Sequence, residues 1–322
     1  MRTPRRRRWW LLAFVPAGAV AAACVGDTGP ANGDSGVPDV STDAPSLDST
    51  TDAGPTDAAP ACNLDAQFQS LTPVPGLAGL GSVARFSSDE LTAYFALLSD
   101  AGIDQLYQAS RATLSDSFGT PTILANVNDA VGESTPWVSA DGKTIFYGHS
   151  ENVGTASARD LWYATRTDTI GAFSNPQEVG IINDPTHEDD YVSQATNGDL
   201  WFSSRRDVDA GQNEIFHAQA IGGNGFGAPQ ISPELNSLTE SNLYPLLTPD
   251  RLHVYFQRGA SLTVWMASRS VPSGPFDTPQ QVNELTIDGT IMRPSWISPD
   301  GCRMYMSKDT PVQMLVASRP AN

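Results

Sequence analysis

The sequence predicts an all-β chain folded as a five-bladed propeller of four-stranded blades, and three features predict it. A hairpin is written five times at near-constant spacing, further strands follow each copy, and an N-terminal segment supplies the one outer strand missing at the C-terminus. The hairpin is plainest at residues 295–307, SWISPDGCRMYMS, where two apolar strands flank an Asp-Gly turn. Anchored on the turn residue, its copies stand at Asp89, Asp141, Asn197, Asp250 and Asp300, spaced by 52, 56, 53 and 50 residues. A fixed period of this size marks a repeat architecture. Asp-Gly and Asn-Gly tolerate the left-handed backbone that tight hairpins need.

Within each repeat the first strand is apolar, and the second carries an aromatic five residues after the anchor: Tyr94, Phe146, Phe202, Tyr255 and Tyr305. A third strand follows as QLYQASR, DLWYATR, EIFHAQA, TVWMASR and QMLVASR. A fourth opens on Phe118, Phe173, Phe226 or Phe276, each with a proline three residues later. Proline suits an outermost strand, which has one side without a ladder partner. Four strands in about fifty residues describe a propeller blade. The fifth hairpin has no such strand after it, but Phe68 stands fifty residues before Phe118, and Leu77 occupies the apolar place nine residues on. The segment around Phe68 is therefore expected to complete the last blade and close the ring; six blades with one degenerate is the alternative. Blade faces pack on one another, so Phe86, Trp137, Val138, Leu246, Leu247, Trp296, Ile297 and the five hairpin aromatics are expected inside.

The hairpins SPDGCRMYMS and SADGKTIFYG resemble the WD40-like β-propeller repeats of the TolB type, and the resemblance extends over residues 66–319. It implies the propeller fold and periplasmic partner binding, and it carries no functional residue across, because the fold hosts unrelated activities.

Ahead of the repeats lies a different kind of sequence. Residues 1–23 have a basic run, a short apolar run and a small-residue stretch, the layout of an export signal. AAAC resembles a bacterial lipobox, which implies lipidation at Cys24, and RRWWL resembles a twin-arginine export signal. Residues 24–61 are expected to be a disordered tether: from residue 25 on they hold seven aspartates and no lysine, arginine, glutamate or aromatic residue, too little apolar surface to offset the entropy of ordering. The propeller domain is expected over 62–322. The expected location is the cell envelope, as a lipoprotein on the periplasmic or surface face of the outer membrane, with membrane contact through the N-terminal lipid only.

Acidic residues outnumber basic ones 36 to 19, and five of the 19 are arginines in the first eight residues. A surface this acidic repels nucleic acid and anionic lipid, so neither is expected as a partner. The expected partner is a protein, peptide or envelope polymer, met by a monomeric chain without a cofactor.

With Cys24 assigned to lipid, Cys62 and Cys302 remain. Strand alternation puts the start of the second strand and the approach to the fourth at the same end of the last blade. Either a disulfide there clamps the ring, as an oxidising compartment permits, or the two thiols are free and too far apart.

The densest polar cluster is HEDDYVS, with His187, Glu188, Asp189 and Asp190 leading into the innermost strand of the third blade. In repeat register, Glu133 and Asn242 match Asp189, and Arg293 matches Asp190. Together these seven residues form a candidate ligand-binding set at the mouth of the axial channel. The histidines fall in different blades without metal-ligand spacing, so no metal site is expected, and no catalytic residue is assigned. The leading functional expectation is a membrane-tethered, non-catalytic binding propeller. The alternative is a carbohydrate-active hydrolase with paired carboxylates at the channel mouth. Against it, GSVARF, the innermost strand of the first blade, offers no carboxylate where five-bladed glycosidases have one.

Overall fold

The computed structural model describes residues 62–79, 83–150, 159–206, 211–259, 262–287 and 289–322. The expected export signal, Cys24 and the expected tether lie outside these residues. The chain enters the fold through β1 (Gln69–Ala78). Blade 1 is β2 (Ala84–Phe86), β3 (Thr92–Leu98), β4 (Asp104–Ser110) and β5 (Thr122–Ile123). Blade 2 is β6 (Glu133–Val138), β7 (Thr144–Ser150), β8 (Arg159–Thr165) and β9 (Ser174–Glu178). Blade 3 comprises β10 (Asp189–Gln194), β11 (Leu200–Ser204) and β12 (Glu214–Ala218), then a small hairpin of β13 (Ala220–Gly222) and β14 (Gly225–Phe226), and the outer strand β15 (Gln230–Ile231). Blade 4 is β16 (Asn242–Leu247), β17 (His253–Arg258), β18 (Thr263–Ser268) and β19 (Gln280–Gln281). Blade 5 is β20 (Met292–Ile297), β21 (Arg303–Lys308) and β22 (Gln313–Ser318), and its fourth strand is β1.

Each blade is an antiparallel sheet in chain order from the axis outward, and the innermost strands pack side by side around a closed circuit, β2 against β6 and β20, β10 against β6 and β16, β16 against β20. The fold is thus a five-bladed β-propeller. The circuit closes as the repeat spacing requires: β1 pairs antiparallel with β22, Gln69 opposite Ser318 and Pro73 opposite Leu315. Beyond the strands, Cys62 bridges to Ala321 and is joined to Cys302 by a disulfide, with the two Cα atoms 5.7 Å apart.

The recurring turn has a plain cause. In the copies anchored on aspartate, a Ser or Thr hydroxyl two residues before donates to the carboxylate, as Ser139 does to Asp141 at 2.6 Å. The same carboxylate accepts the N–H two residues on, Lys143 to Asp141 at 3.0 Å. Between them the chain takes a positive φ at Glu90, Gly142, Gly198, Arg251 and Gly301, the conformation glycine adopts without cost. All the residues expected in the inner layers are buried, from Phe202 at 0 % exposure to Trp137 and Leu247 at 8 %. The outer strands β5, β15 and β19 are two residues long and exposed, while the phenylalanines that precede the outer strands turn inward, as do Val74 and Leu77 of the longer β1.

Candidate functional site

In blades 2 to 5 the pairing of the two inner strands slips at the same place, a β-bulge between the second and fifth residues of the innermost strand in blades 2 to 4 and between the third and fifth in blade 5. The bulged residues Thr135, Tyr191 and Tyr244 have φ of 46°, 58° and 56°, a left-handed conformation that costs about 1–3 kcal/mol in a non-glycine residue and clusters at functional sites. In blade 5 the position is Pro294, whose ring forbids positive φ. The bulge turns Thr135, Tyr191 and Tyr244 toward the axis, where the two tyrosine rings pack with centroids 4.3 Å apart.

These residues line a cleft of about 540 Å³ to which all five blades contribute, among them Asp104, Arg159 and Asp309. It is the polar mouth of the axial channel. Arg159 pairs with Asp190 at 3.0 Å and with Asp104 at 3.4 Å. Asp190 is fully buried and also accepts from the Thr135 hydroxyl and, at 2.7 Å, from the Tyr191 N–H. Gly148 makes room for it, since a Cβ there would stand 2.4 Å from an Asp190 carboxylate oxygen. On the far side Arg293 holds Asp309, with Nη2 to Oδ2 at 2.8 Å, and lies over the Tyr244 ring.

The opposite end of the axis is narrower and apolar, about 140 Å³ lined by Phe86, Trp137, Leu246 and Trp296 among others. Arg85 stands between the two ends. Its guanidinium lies over the Trp137 ring at 5.1 Å and donates to the Pro294 carbonyl at 3.4 Å, while Nε and Nη2 have no protein partner. Burial pushes its pKa down to about 9, against the pull of Tyr244 and Asp190. A buried guanidinium with two unused donors thus lies between blades 2 and 5.

The seven candidate residues divide. Asp190 and Arg293 belong to the mouth. Glu133, Asp189 and Asn242, each 0 % exposed, turn away from the axis toward the connection that enters their blade: Asp189 accepts the Asp184 N–H at 2.6 Å and pairs with Arg206, and Asn242 accepts from Arg258 Nε at 2.7 Å. Burial raises the Asp189 carboxyl despite Arg206. Glu188 is buried 3.8 Å from Arg205, and burial raises it too. His187 is a surface residue paired with Asp184 at 2.9 Å. Glu133 accepts the Asp129 N–H at 3.0 Å, and burial pushes its carboxyl up to about 8. Its other oxygen and the Tyr147 hydroxyl are buried without hydrogen-bond partners.

Sequence reasoning missed Arg85, Arg159, Tyr191 and Tyr244. For the two tyrosines the cause is the bulge, since alternation along an ideal strand misplaces every residue beyond one; Arg85 and Arg159 lie on β2 and β8, outside the bulged strands. One signal was present: Tyr191 and Tyr244 occupy the same repeat position, 53 residues apart.

No protein-family model matches the chain, and no curated protein does either. Among solved structures it is similar to Kuenenia stuttgartiensis hydrazine synthase, at 13% identity and a TM-score of 0.50, over 74% of this chain and 38% of that one. It is similar also to a TolB-assigned protein of Agrobacterium tumefaciens, at 17% identity and a TM-score of 0.49, over 77% and 78% of the two chains. A third is the catalytic domain of a Coprinopsis cinerea family-62 α-L-arabinofuranosidase, at 11% identity and a TM-score of 0.49, over 80% and 98%. Likeness at these identities extends to the fold alone.

Proposed function

We propose that this protein is a non-catalytic binding propeller, held at the cell envelope by a lipid on Cys24 and the acidic tether, that receives a peptide or envelope-polymer segment in its axial mouth. One observation carries the reading: the mouth combines an open cleft and a two-tyrosine face with carboxylates that arginines already hold, Asp104 and Asp190 by Arg159 and Asp309 by Arg293. Aromatic faces and fixed charge pairs recognise shape and polarity. A glycosidase instead requires one carboxyl free to give a proton and a second free to attack or to activate water.

The three aspartates around one mouth are also what favours a hydrolase, so the test separates the two. Wild type and the Tyr191→Ala/Tyr244→Ala double variant are compared in crosslinking to isolated envelopes, and wild type and Asp190→Asn in hydrolysis of a glycan panel. The binding reading expects capture that falls at least tenfold in the tyrosine variant and no hydrolysis by either protein. Wild-type hydrolysis abolished by Asp190→Asn would replace it with the hydrolase.

A further inference from the structure

Blades 3 and 4 each seat an arginine guanidinium in an equivalent slot, Arg258 from the position opposite the first inner-strand residue and Arg206 from two residues past the corresponding Ser204. In blade 4, Arg258 stands opposite Asn242 in the β16–β17 register, lies over the Trp265 ring at 4.9 Å, and donates to the Asn242 side chain and the Leu235 carbonyl. In blade 3, Arg206 lies over Phe216, the same third-strand position, at 5.3 Å, and reaches the Asp189 carboxylate and the Ile182 carbonyl. Fixed cations thus satisfy the first residue of the innermost strand and tie it to the chain arriving from the preceding blade.

Blade 2 keeps the slot and lacks the arginine. Its register partner for Glu133 is His149, whose ring stacks on Trp162, the counterpart of Trp265, at 4.5 Å. The connection from blade 1 adds Asp129, whose Oδ2 is 2.8 Å from His149 Nε2. One ligand atom from each of Asp129, Glu133 and His149 lies within 4.8 Å of the others. Glu133 is fully buried, and one of its carboxylate oxygens has no partner. Where blades 3 and 4 hold a guanidinium, blade 2 presents two carboxylates and an imidazole.

We infer that Asp129, Glu133 and His149 bind a divalent metal ion of the zinc or manganese class, which takes the place of the arginine of the neighbouring blades. An imidazole nitrogen beside two carboxylates suits these ions better than calcium or magnesium, which favour all-oxygen shells. Half-exposed Asp129 gives the ion a route from solvent. The role is that of a staple. Asn128, next to Asp129, is bonded by its side chain to both backbone groups of Leu106 in blade 1, at 2.7 and 2.9 Å, so an ion on Asp129 ties that connection to β6 and β7.

The test is calorimetric titration of the chelator-stripped full chain with Zn²⁺ and with Mn²⁺, Ca²⁺ serving as the hard-cation comparison, together with thermal unfolding with and without metal. The wild type should bind Zn²⁺ or Mn²⁺ at one equivalent and more tightly than Ca²⁺, and Glu133→Gln and Asp129→Asn should each weaken that binding at least tenfold. His149→Arg rebuilds the blade 4 arrangement. It should unfold, metal-free, at no lower temperature than wild type and lose the metal-dependent rise. A loss under tenfold in both carboxylate variants, or a metal-dependent rise retained in His149→Arg, would overturn the assignment.

Discussion

Glu133 illustrates how one side chain's chemistry depends on a neighbour that the repeat elsewhere supplies. Burial without a guanidinium favours the neutral form of a carboxyl, and it pushes the Glu133 carboxyl from its ordinary value of 4.5 up to about 8. The sign of the pH effect follows. The folded state keeps a proton that the unfolded chain has given up above pH 4.5, so this group's contribution is complete below pH 4.5 and is lost as pH rises toward 8. In the metal-free protein, unfolding free energy should fall across that window by at most about 1.4 kcal/mol per pH unit from this residue. Glu133→Gln cannot ionise, so it should remove that part of the slope; identical slopes in urea titrations at pH 5, 6.5 and 8 would contradict the account. The carboxylate itself was legible in the sequence as a candidate. Its orientation away from the channel was not, because that is set by the bulge two residues on.

At the scale of the element, the blades share a lid over the phenylalanine that leads into the outer strand. The arginine ending the third strand lies over that ring in four blades: Arg111 on Phe118 at 4.5 Å, Arg166 on Phe173 at 4.2 Å, Arg269 on Phe276 at 4.3 Å and Arg319 on Phe68 at 4.5 Å. Arg166 also donates to the Gly142 carbonyl at 2.6 Å, to the Gly171 carbonyl, and to the Tyr94 hydroxyl of blade 1 at 3.2 Å. It therefore joins turn, loop and neighbouring blade. Blade 3 has Ala220 in this place, and Phe226 instead forms part of the β13–β14 hairpin, opposite Ala220. Arg166→Ala should cost about 2–3 kcal/mol, the sum of a cation–π contact and the hydrogen bonds lost with it, measured by denaturant unfolding; a change below about 0.5 kcal/mol would mean the lid is ornamental. The strand-final SR and TR were visible in the sequence, but their pairing with a phenylalanine seven residues on depends on how the outer strand folds back.

For the whole molecule, the decisive contact is between the two ends of the domain. The closing strand passes so near blade 1 that Gly76, at φ +84°, has no space for a side chain: a Cβ would sit 2.4 Å from the Phe118 carbonyl oxygen. Glu90 of blade 1 receives Arg303 and, at 2.6 Å, the Tyr305 hydroxyl of blade 5. The Cys62–Cys302 disulfide spans 240 residues of sequence at the same seam. Cross-links over long loops restrict the unfolded chain most, so Cys62→Ser/Cys302→Ser should lower stability by about 2–4 kcal/mol. The native, unreduced propeller should also yield no thiol to a labelling reagent at either position. Two labelled thiols, or an unchanged unfolding midpoint in the double variant, would count against the seam as a source of stability.

Period, alternation and turn chemistry are local properties of a chain, and they alone determined the blade and the strand expected to close the ring, while five blades rather than six was settled by the sheets themselves. Each copy of the repeat states them again, and the missing outer strand at one end matches the unpaired one at the other. What faces the axis, which acid meets an arginine and which meets a histidine were decided only in three dimensions. A bulge shifts facing by one residue, and the partners of Asp190 and Glu133 come from strands and connections that sequence distance does not rank. A propeller's core is repeated in every blade and so can be read from sequence, whereas its polar sites arise where one blade departs from the others.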